Sequence, residues 1–178
     1  QELVKQKQLK NKISSFSKQS LEKAIEPIYG KRGAVYEQGD YIFILFSPLM
    51  TKTTKNEVLA ARAAEKIKSV LNHHNKKFKD KIEFGLAVNS GSIINKVENK
   101  KLKFTALKNV MVAAKRLAES SDGQILVTKE AYERGISEIK AEKKKIGNGD
   151  VYELRRVVDH DQNKKFLKGF VERMEQGK

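Results

Sequence analysis

The sequence predicts an α+β domain built on an antiparallel-rich sheet with a flanking C-terminal hairpin. Two observations carry this reading. Short apolar runs are joined by tight turn signals at Gly39-Asp40 and Gly147-Asn148-Gly149. Around them lie segments whose apolar residues repeat on a 3.6-residue period. The chain has 178 residues, 39% of them hydrophobic, which is enough for one domain with a sizeable core.

Each element has its own signal. Residues 1–29 place Leu9, Ile13, Phe16, Ile25 and Ile28 at helical spacing, with Pro27 and Gly30 as stop signals. Residues 34–38 and Tyr41–Phe46 form a hairpin around Gly39-Asp40. The second run, Tyr-Ile-Phe-Ile-Leu-Phe, has too little polarity for a surface strand and predicts a central strand covered on both faces. Thr54 and Glu57 have capping-box spacing, and a helix follows to about Asn72. A strand at 82–88 turns at Asn89-Ser90-Gly91 and returns over 92–97. Leu107, Val110, Met111, Ala114 and Leu117 define a helix face that ends at Asp122-Gly123. A short strand at 124–127 precedes a short helix capped by Thr128. Residues 138–146 and 150–157 form the closing hairpin. Phe166, Leu167, Phe170, Val171 and Met174 predict a C-terminal amphipathic helix. The expected division is a domain over 1–158 and an appended helix over 159–178, with helices mainly on one face of the sheet.

Composition narrows the function. Without cysteine there is no disulfide, thiolate zinc site or cysteine nucleophile. No apolar run approaches the ~20 residues that span a bilayer, and the expected setting is cytoplasmic, whether alone or as the cytosolic part of a larger protein. The formal charge is +15, yet only seven of the 37 basic residues are Arg. Base readout and bidentate phosphate clamps favour Arg, so specific nucleic-acid binding is not expected. A Lys-rich solvated surface, or an anionic ligand such as a nucleoside triphosphate, fits the charge. His73 and His74 are adjacent and cannot share a helix face, and no spacing of acids supports a metal cluster. Tyr41 and Phe43 alternate as in an RNA-recognition strand, but that module's Gly-aromatic-Gly-aromatic signature is absent.

Three ordered segments resemble the class III adenylyl/guanylyl cyclase catalytic domain. They are Gly39-Asp40-Tyr41-Ile42-Phe43-Ile44-Leu45-Phe46, then Gly85-Leu86-Ala87-Val88-Asn89-Ser90-Gly91. The third is Phe104-Thr105-Ala106-Leu107 through Val112-Ala113-Ala114-Lys115-Arg116-Leu117 to Gln124-Ile125-Leu126-Val127. The hairpin at 143–154 is similar to that family's last one, and the resemblance spans roughly 9–156. It implies a ferredoxin-like, palm-type fold. In that family two carboxylates hold two Mg or Mn ions that activate the ribose 3′-hydroxyl and bind the triphosphate. An Asn orients the ribose and an Arg stabilises phosphate charge. The site forms between two domains, so the resemblance also implies a dimer; with +15 on each chain, that homodimer should be weak and favoured by salt.

Carried over by position, Asp40 matches the second metal carboxylate and Arg116 the transition-state arginine. Lys144 or Lys145 matches the triphosphate lysine, and Thr105 the base-reading position. The departures are as informative. Val112 stands at the ribose-orienting Asn, Tyr36 at the base-reading lysine, and Lys108 at the glycine before the helix. The strand bearing the first metal carboxylate should precede residue 9 and is not seen there. The resemblance with these gaps implies a catalytically inactive cyclase-homology domain serving signalling, dimerisation or nucleotide sensing. The alternative is a working adenylate or guanylate cyclase whose first strand lies outside residues 1–178.

Overall fold

Gly39 takes a left-handed φ of +60°, which lets a two-residue turn join β1 (Gly33–Gln38) to β2 (Tyr41–Phe46) in antiparallel register. The computed structural model describes residues 23–28, 30–98, 101–105, 107–147, 149–159 and 173. Within these bounds 23–28 is helical, so the amphipathic helix expected over 1–29 is seen only in that part, and the C-terminal helix expected over 166–174 lies outside the described residues but for Arg173. After β2 come the one-turn α1 (Pro48–Thr51) and the long α2 (Asn56–Lys77). Strand β3 (Leu86–Val88), the hairpin β4 (Ile94–Glu98) and β5 (Lys101–Thr105), and α3 (Leu107–Glu119) follow. The chain then forms β6 (Ile125–Thr128), α4 (Lys129–Arg134), β7 (Ile139–Ile146) and β8 (Gly149–Val157).

The main sheet has the order β3-β6-β8-β7. Only β3–β6 is parallel; β6–β8 and β7–β8 are antiparallel, with a bulge between Lys140 and Ala141. The β1–β2 and β4–β5 hairpins form separate two-stranded sheets. The sheet is apolar on both faces, as the run Ile125-Leu126-Val127 requires. Ile125 and Val127 pack with Val58, Ala61 and Ala64 of α2 and with Ile139 and Leu154. Leu126 points the other way, into a cluster with Leu117 of α3 and Val151. Helices therefore lie on both faces of the main sheet, which corrects the expectation that they lie mainly on one.

Other expectations are corrected locally. Thr54 and Glu57 form no capping box: α2 starts at Asn56 with Lys55 at its N-cap, no side chain caps it, and Glu57 bonds to Ser90 instead. The helix also runs five residues past the expected end, to Lys77. The segment after β3 does not return onto it. Instead β4 pairs with β5, placing Ile94 opposite Thr105. Strand β2 is not central: among the described residues it pairs with β1 alone, and Ile42 is 47% exposed. By contrast, Thr128 caps α4 as expected, its hydroxyl accepting from the Ala131 N–H.

The long helix is tied to the closing hairpin by charge. Buried Glu138 accepts from Lys55 at 2.5 Å and from Arg62 at 3.1 Å. Further along, Glu65 accepts from the Val157 N–H at 3.1 Å. Burial raises the Glu65 carboxyl pKa, against the opposing effects of that N–H and of Arg62. A raised folded-state value means that the stabilising contribution is complete below the ordinary glutamate range and lost as pH rises through the raised value. Glu65→Gln keeps an acceptor and removes this titration. We expect the variant to match or exceed the parent at pH 7 and to show a flatter stability profile between pH 4 and 7. Urea melts across that range check it, and a variant clearly weaker at pH 7 would contradict it.

Candidate functional site

The residues with a bearing on chemistry gather around the β1–β2 turn and α3. Tyr41 begins β2 directly after Asp40 and donates to Glu119 Oε1 at 2.5 Å. The Lys115 ammonium lies 4.4 Å from the centre of the Tyr41 ring and 4.0 Å from Glu119. Helical spacing puts Lys115 and Glu119 one turn apart on α3, so a single turn of helix grips the start of β2. The Tyr41 phenol pKa is raised, first by its bond to Glu119 and then by burial and the Glu119 and Asp40 charges. The phenol therefore remains a donor across the neutral range.

Behind this clasp lies a cavity of about 410 Å³ between α2 and α3, with β2 on one side and β3 on the other. Its helix walls are small or apolar: Ala60, Ala63 and Ala64 from α2, Val110, Met111 and Ala114 from α3. One end is polar. There Glu57 accepts from Ser90 Oγ at 2.7 Å and meets Arg134 at 3.5 Å. Asn89 holds the turn after β3 against α3 by donating to the Val110 carbonyl at 3.0 Å. Ser47, also in the cavity wall, is 3% exposed, and its hydroxyl has no hydrogen-bond partner among the described residues.

The residues singled out by sequence are only partly brought together. Asp40 occupies the hairpin turn and is exposed. Arg116 is exposed on α3, and Val112 one turn earlier is 38% exposed, on the side away from Leu107 and Met111, which line the cavity. Lys144 is engaged: it donates to Gln124 Oε1 at 2.9 Å and pairs with Glu153. Lys145 is exposed, whereas Lys143 pairs with Asp150 at 2.7 Å, a contact that raises its pKa. Thr105 closes β5, its backbone paired with Ile94. Asp40, Arg116, Lys144 and Lys145 are not among the described residues that line the cavity. The Tyr41–Glu119–Lys115 clasp was not foreseen, because 78 residues separate Tyr41 from Glu119 and nothing local marks the pairing.

A divalent cation needs several hard oxygen donors converging on one point. Among the described residues no group of three or more His, Asp or Glu side chains converges in that way. Asp40 is one exposed carboxylate, and Glu119, whose charge acts with that of Asp40 on the Tyr41 phenol, accepts the Tyr41 hydrogen bond. The described donor set therefore does not fit a paired-metal centre. Among the described residues no helix is long and apolar enough to cross a membrane.

The fold is similar to that of nucleotidyl cyclase catalytic domains. It superposes on the monomeric guanylyl cyclase domain of the RhoGC fusion protein from the aquatic fungus Blastocladiella emersonii with a TM-score of 0.60, at 15% identity over 79% of this chain and 80% of that one. The adenylyl cyclase CyaB from P. aeruginosa gives 0.58, at 17% identity over 86% of this chain and 91% of that one. The guanylate cyclase domain of RhGC from Catenaria anguillulae, in complex with GTP, gives 0.57, at 15% identity over 79% and 82%. No family model and no curated protein sequence matches the chain. The likeness thus establishes the cyclase-domain fold at low sequence identity.

Proposed function

We propose that this is a divergent class III cyclase-like domain that does not cyclise nucleotides itself and serves as a nucleotide-sensing and dimerising signalling module. The observation that carries this is Val112. It stands exposed on α3 one turn before Arg116, where an amide would be needed to hold a ribose, and an isopropyl group makes no hydrogen bond. The described carboxylates add to the argument, since among the described residues no group of three or more His, Asp or Glu side chains converges. Arg116 and the exposed Lys145 remain available to anions, with Thr105 as the base-side contact and Lys144 held at Glu153.

The expected result is no cyclic product from ATP or GTP with manganese, together with weak triphosphate binding that falls as salt rises. Val112→Asn alone should not restore turnover. Manganese-dependent product that disappears in Asp40→Ala would overturn the reading. Calorimetry at low and high salt tests the binding arm. A second reading, a working cyclase completed by a strand outside residues 1–178, draws on edges of β2 and β3 that have no partner among the described residues. The assembly proposal is a weak homodimer, favoured by salt because a charge of +15 per chain opposes association at low ionic strength. Sedimentation equilibrium at two salt concentrations should show association rising with salt, and a strict monomer throughout would remove the dimer.

A further inference from the structure

A second cavity, of about 470 Å³, lies on the α2 side of the main sheet, over Ile125 of β6 and Leu154 of β8. Those two side chains are buried and pack against α2, so the floor is fixed. The α2 wall is polar. Glu65, Ser69 and His73 form one row at i, i+4 and i+8, and Lys68, Asn72 and Lys76 form the row beside it. The two adjacent histidines part here: His73 lines the cavity, while His74 stacks on Phe78. Lys68 and Lys76 have no ion pair among the described residues, whereas Lys55 and Arg62, nearer the N-terminal end of the helix, are held by Glu138. Arg155 also lines the cavity, but its guanidinium is occupied by Glu142 and Glu153. Glu65 is the one carboxylate in the described lining. Its Oε1 accepts from the Val157 N–H at 3.1 Å, which leaves Oε2 to accept a further hydrogen bond.

We propose that this cavity binds a small organic phosphate that bears hydroxyl groups, with the phosphate between Lys68 and Lys76 and the hydroxyls on Glu65, Ser69 and Asn72. Eight residues of helix separate the two lysines by about 12 Å along the axis. Each ammonium is a point charge with three donors on a flexible four-carbon stem, so both can close on one phosphate seated over Asn72. Two such charges suit a dianion better than a single carboxylate. Glu65 repels a bare anion and accepts from a ligand that donates, so it selects a hydroxyl-bearing body over inorganic phosphate. The volume falls within the roughly 300–1,000 Å³ of small-molecule sites and leaves room for such a body beside the phosphate. Ile125 faces this side of the sheet and Leu126 the side of α3, so the cavity and Arg116 lie on opposite faces. The inference is therefore independent of the proposed nucleotide site.

The test is calorimetry of the 178-residue chain with glucose 6-phosphate, with glucose and inorganic phosphate alongside at one ionic strength. Glucose 6-phosphate should bind about tenfold more tightly than either. It should also shift the amide resonances of residues 65–76 and 154–155, a readout that needs no variant. Lys68→Glu/Lys76→Glu should weaken binding by about tenfold or more, the loss of at least one charge-assisted hydrogen bond. Lys66→Glu/Lys140→Glu makes the same change in net charge at exposed positions outside the described lining, and should weaken it by less than about twofold. An equal loss in both variants would mean that overall charge attracts the anion, and it overturns the proposal. So does inorganic phosphate bound as tightly as glucose 6-phosphate, no binding of glucose 6-phosphate at about 10 mM, or amide shifts confined to other residues. Retention on vesicles containing phosphatidylinositol phosphates, lost in Lys68→Glu/Lys76→Glu and with no glucose 6-phosphate bound, overturns it in favour of a lipid headgroup. The cyclase assay reports separately on the proposed function, because Val112 and Arg116 lie on α3, across the sheet.

Discussion

Gly85→Ala is expected to cost about 3 kcal/mol, at the upper end for overpacking, and to lower the melting temperature by roughly 6–12 °C in a domain of this size. A Cβ at Gly85 would sit 2.0 Å from the Ala118 carbonyl oxygen and 2.9 Å from its carbon. Both are backbone atoms near the C-terminal end of α3, so no side-chain rotamer relieves the overlap. Gly85 is not in the left-handed region; what it provides is the close approach of the segment leading into β3 to α3. The bond from the Gly123 N–H to the Phe84 carbonyl at 3.1 Å, just past the end of α3, pins the same segment. Relief therefore requires α3 to move away, which would widen the cavity and pull Lys115 and Glu119 from Tyr41. Thermal melts measure the loss, and exposure of Tyr41 by its ultraviolet absorbance reports the broken clasp. A Gly85→Ala protein within about 0.5 kcal/mol of the parent would mean that this approach is not tight in solution.

Leu126→Ala should be comparably damaging. Leu126 is fully buried in the middle of β6, and it is the residue through which the α3 side of the sheet is filled, against Leu117 and Val151. Removing a buried leucine to alanine costs about 3–5 kcal/mol, because the transfer energy is lost and the cavity collapses only in part. Its neighbours hang from backbone on both sides: Val127 pairs with Tyr152, and Ala87 of β3 lies opposite Leu126 itself. Collapse is thus restricted, which argues for the middle of the range or above. Leu126→Met, close in volume, should recover most of the loss, with a residual cost under about 1.5 kcal/mol. Chemical denaturation of the three proteins distinguishes a volume effect from a general intolerance of substitution.

The sheet and its hairpins were legible where local chemistry decides them. Gly39-Asp40 sets the first turn, and the Thr128 hydroxyl is three residues from the N–H it caps. The closing hairpin follows from two extended runs around Gly147 and Gly149, Gly147 taking a φ of +59°. Legibility failed where the partner is distant. Strand β5 lies where no element is expected from sequence, although Lys101-Leu102-Lys103-Phe104 alternates polar and apolar residues. The capping spacing of Thr54 and Glu57 was overridden by tertiary contacts, since Ser90 and Arg134 draw Glu57 away. The apolar run at Tyr41–Phe46 signalled burial on both faces, while the described structure leaves Ile42 exposed at an open edge. For the site, motif order indicated Asp40, Thr105, Arg116, Lys144 and Lys145, but pairings such as Tyr41 with Glu119 and Glu153 with Lys144 exist only in three dimensions.

The parallel contact between β3 and β6 shapes how the chain reaches its native state. Strands β6, β7 and β8 are joined by short connections and pair antiparallel, so little loop entropy opposes their meeting. Joining β3 to β6 requires closing a loop that contains the β4–β5 hairpin and all of α3, for only three residue pairs. A non-local pairing of so few residues is made late, after the rate-limiting step. The β6–β7–β8 unit with α4 should therefore assemble early, and β3 should dock afterwards with α3 already formed. Substitutions such as Ala87→Gly would then speed unfolding and leave the folding rate almost unchanged, whereas Ile139→Val would slow folding. Evolution of the β3 side of the molecule is on this account less constrained by foldability than the closing hairpin is.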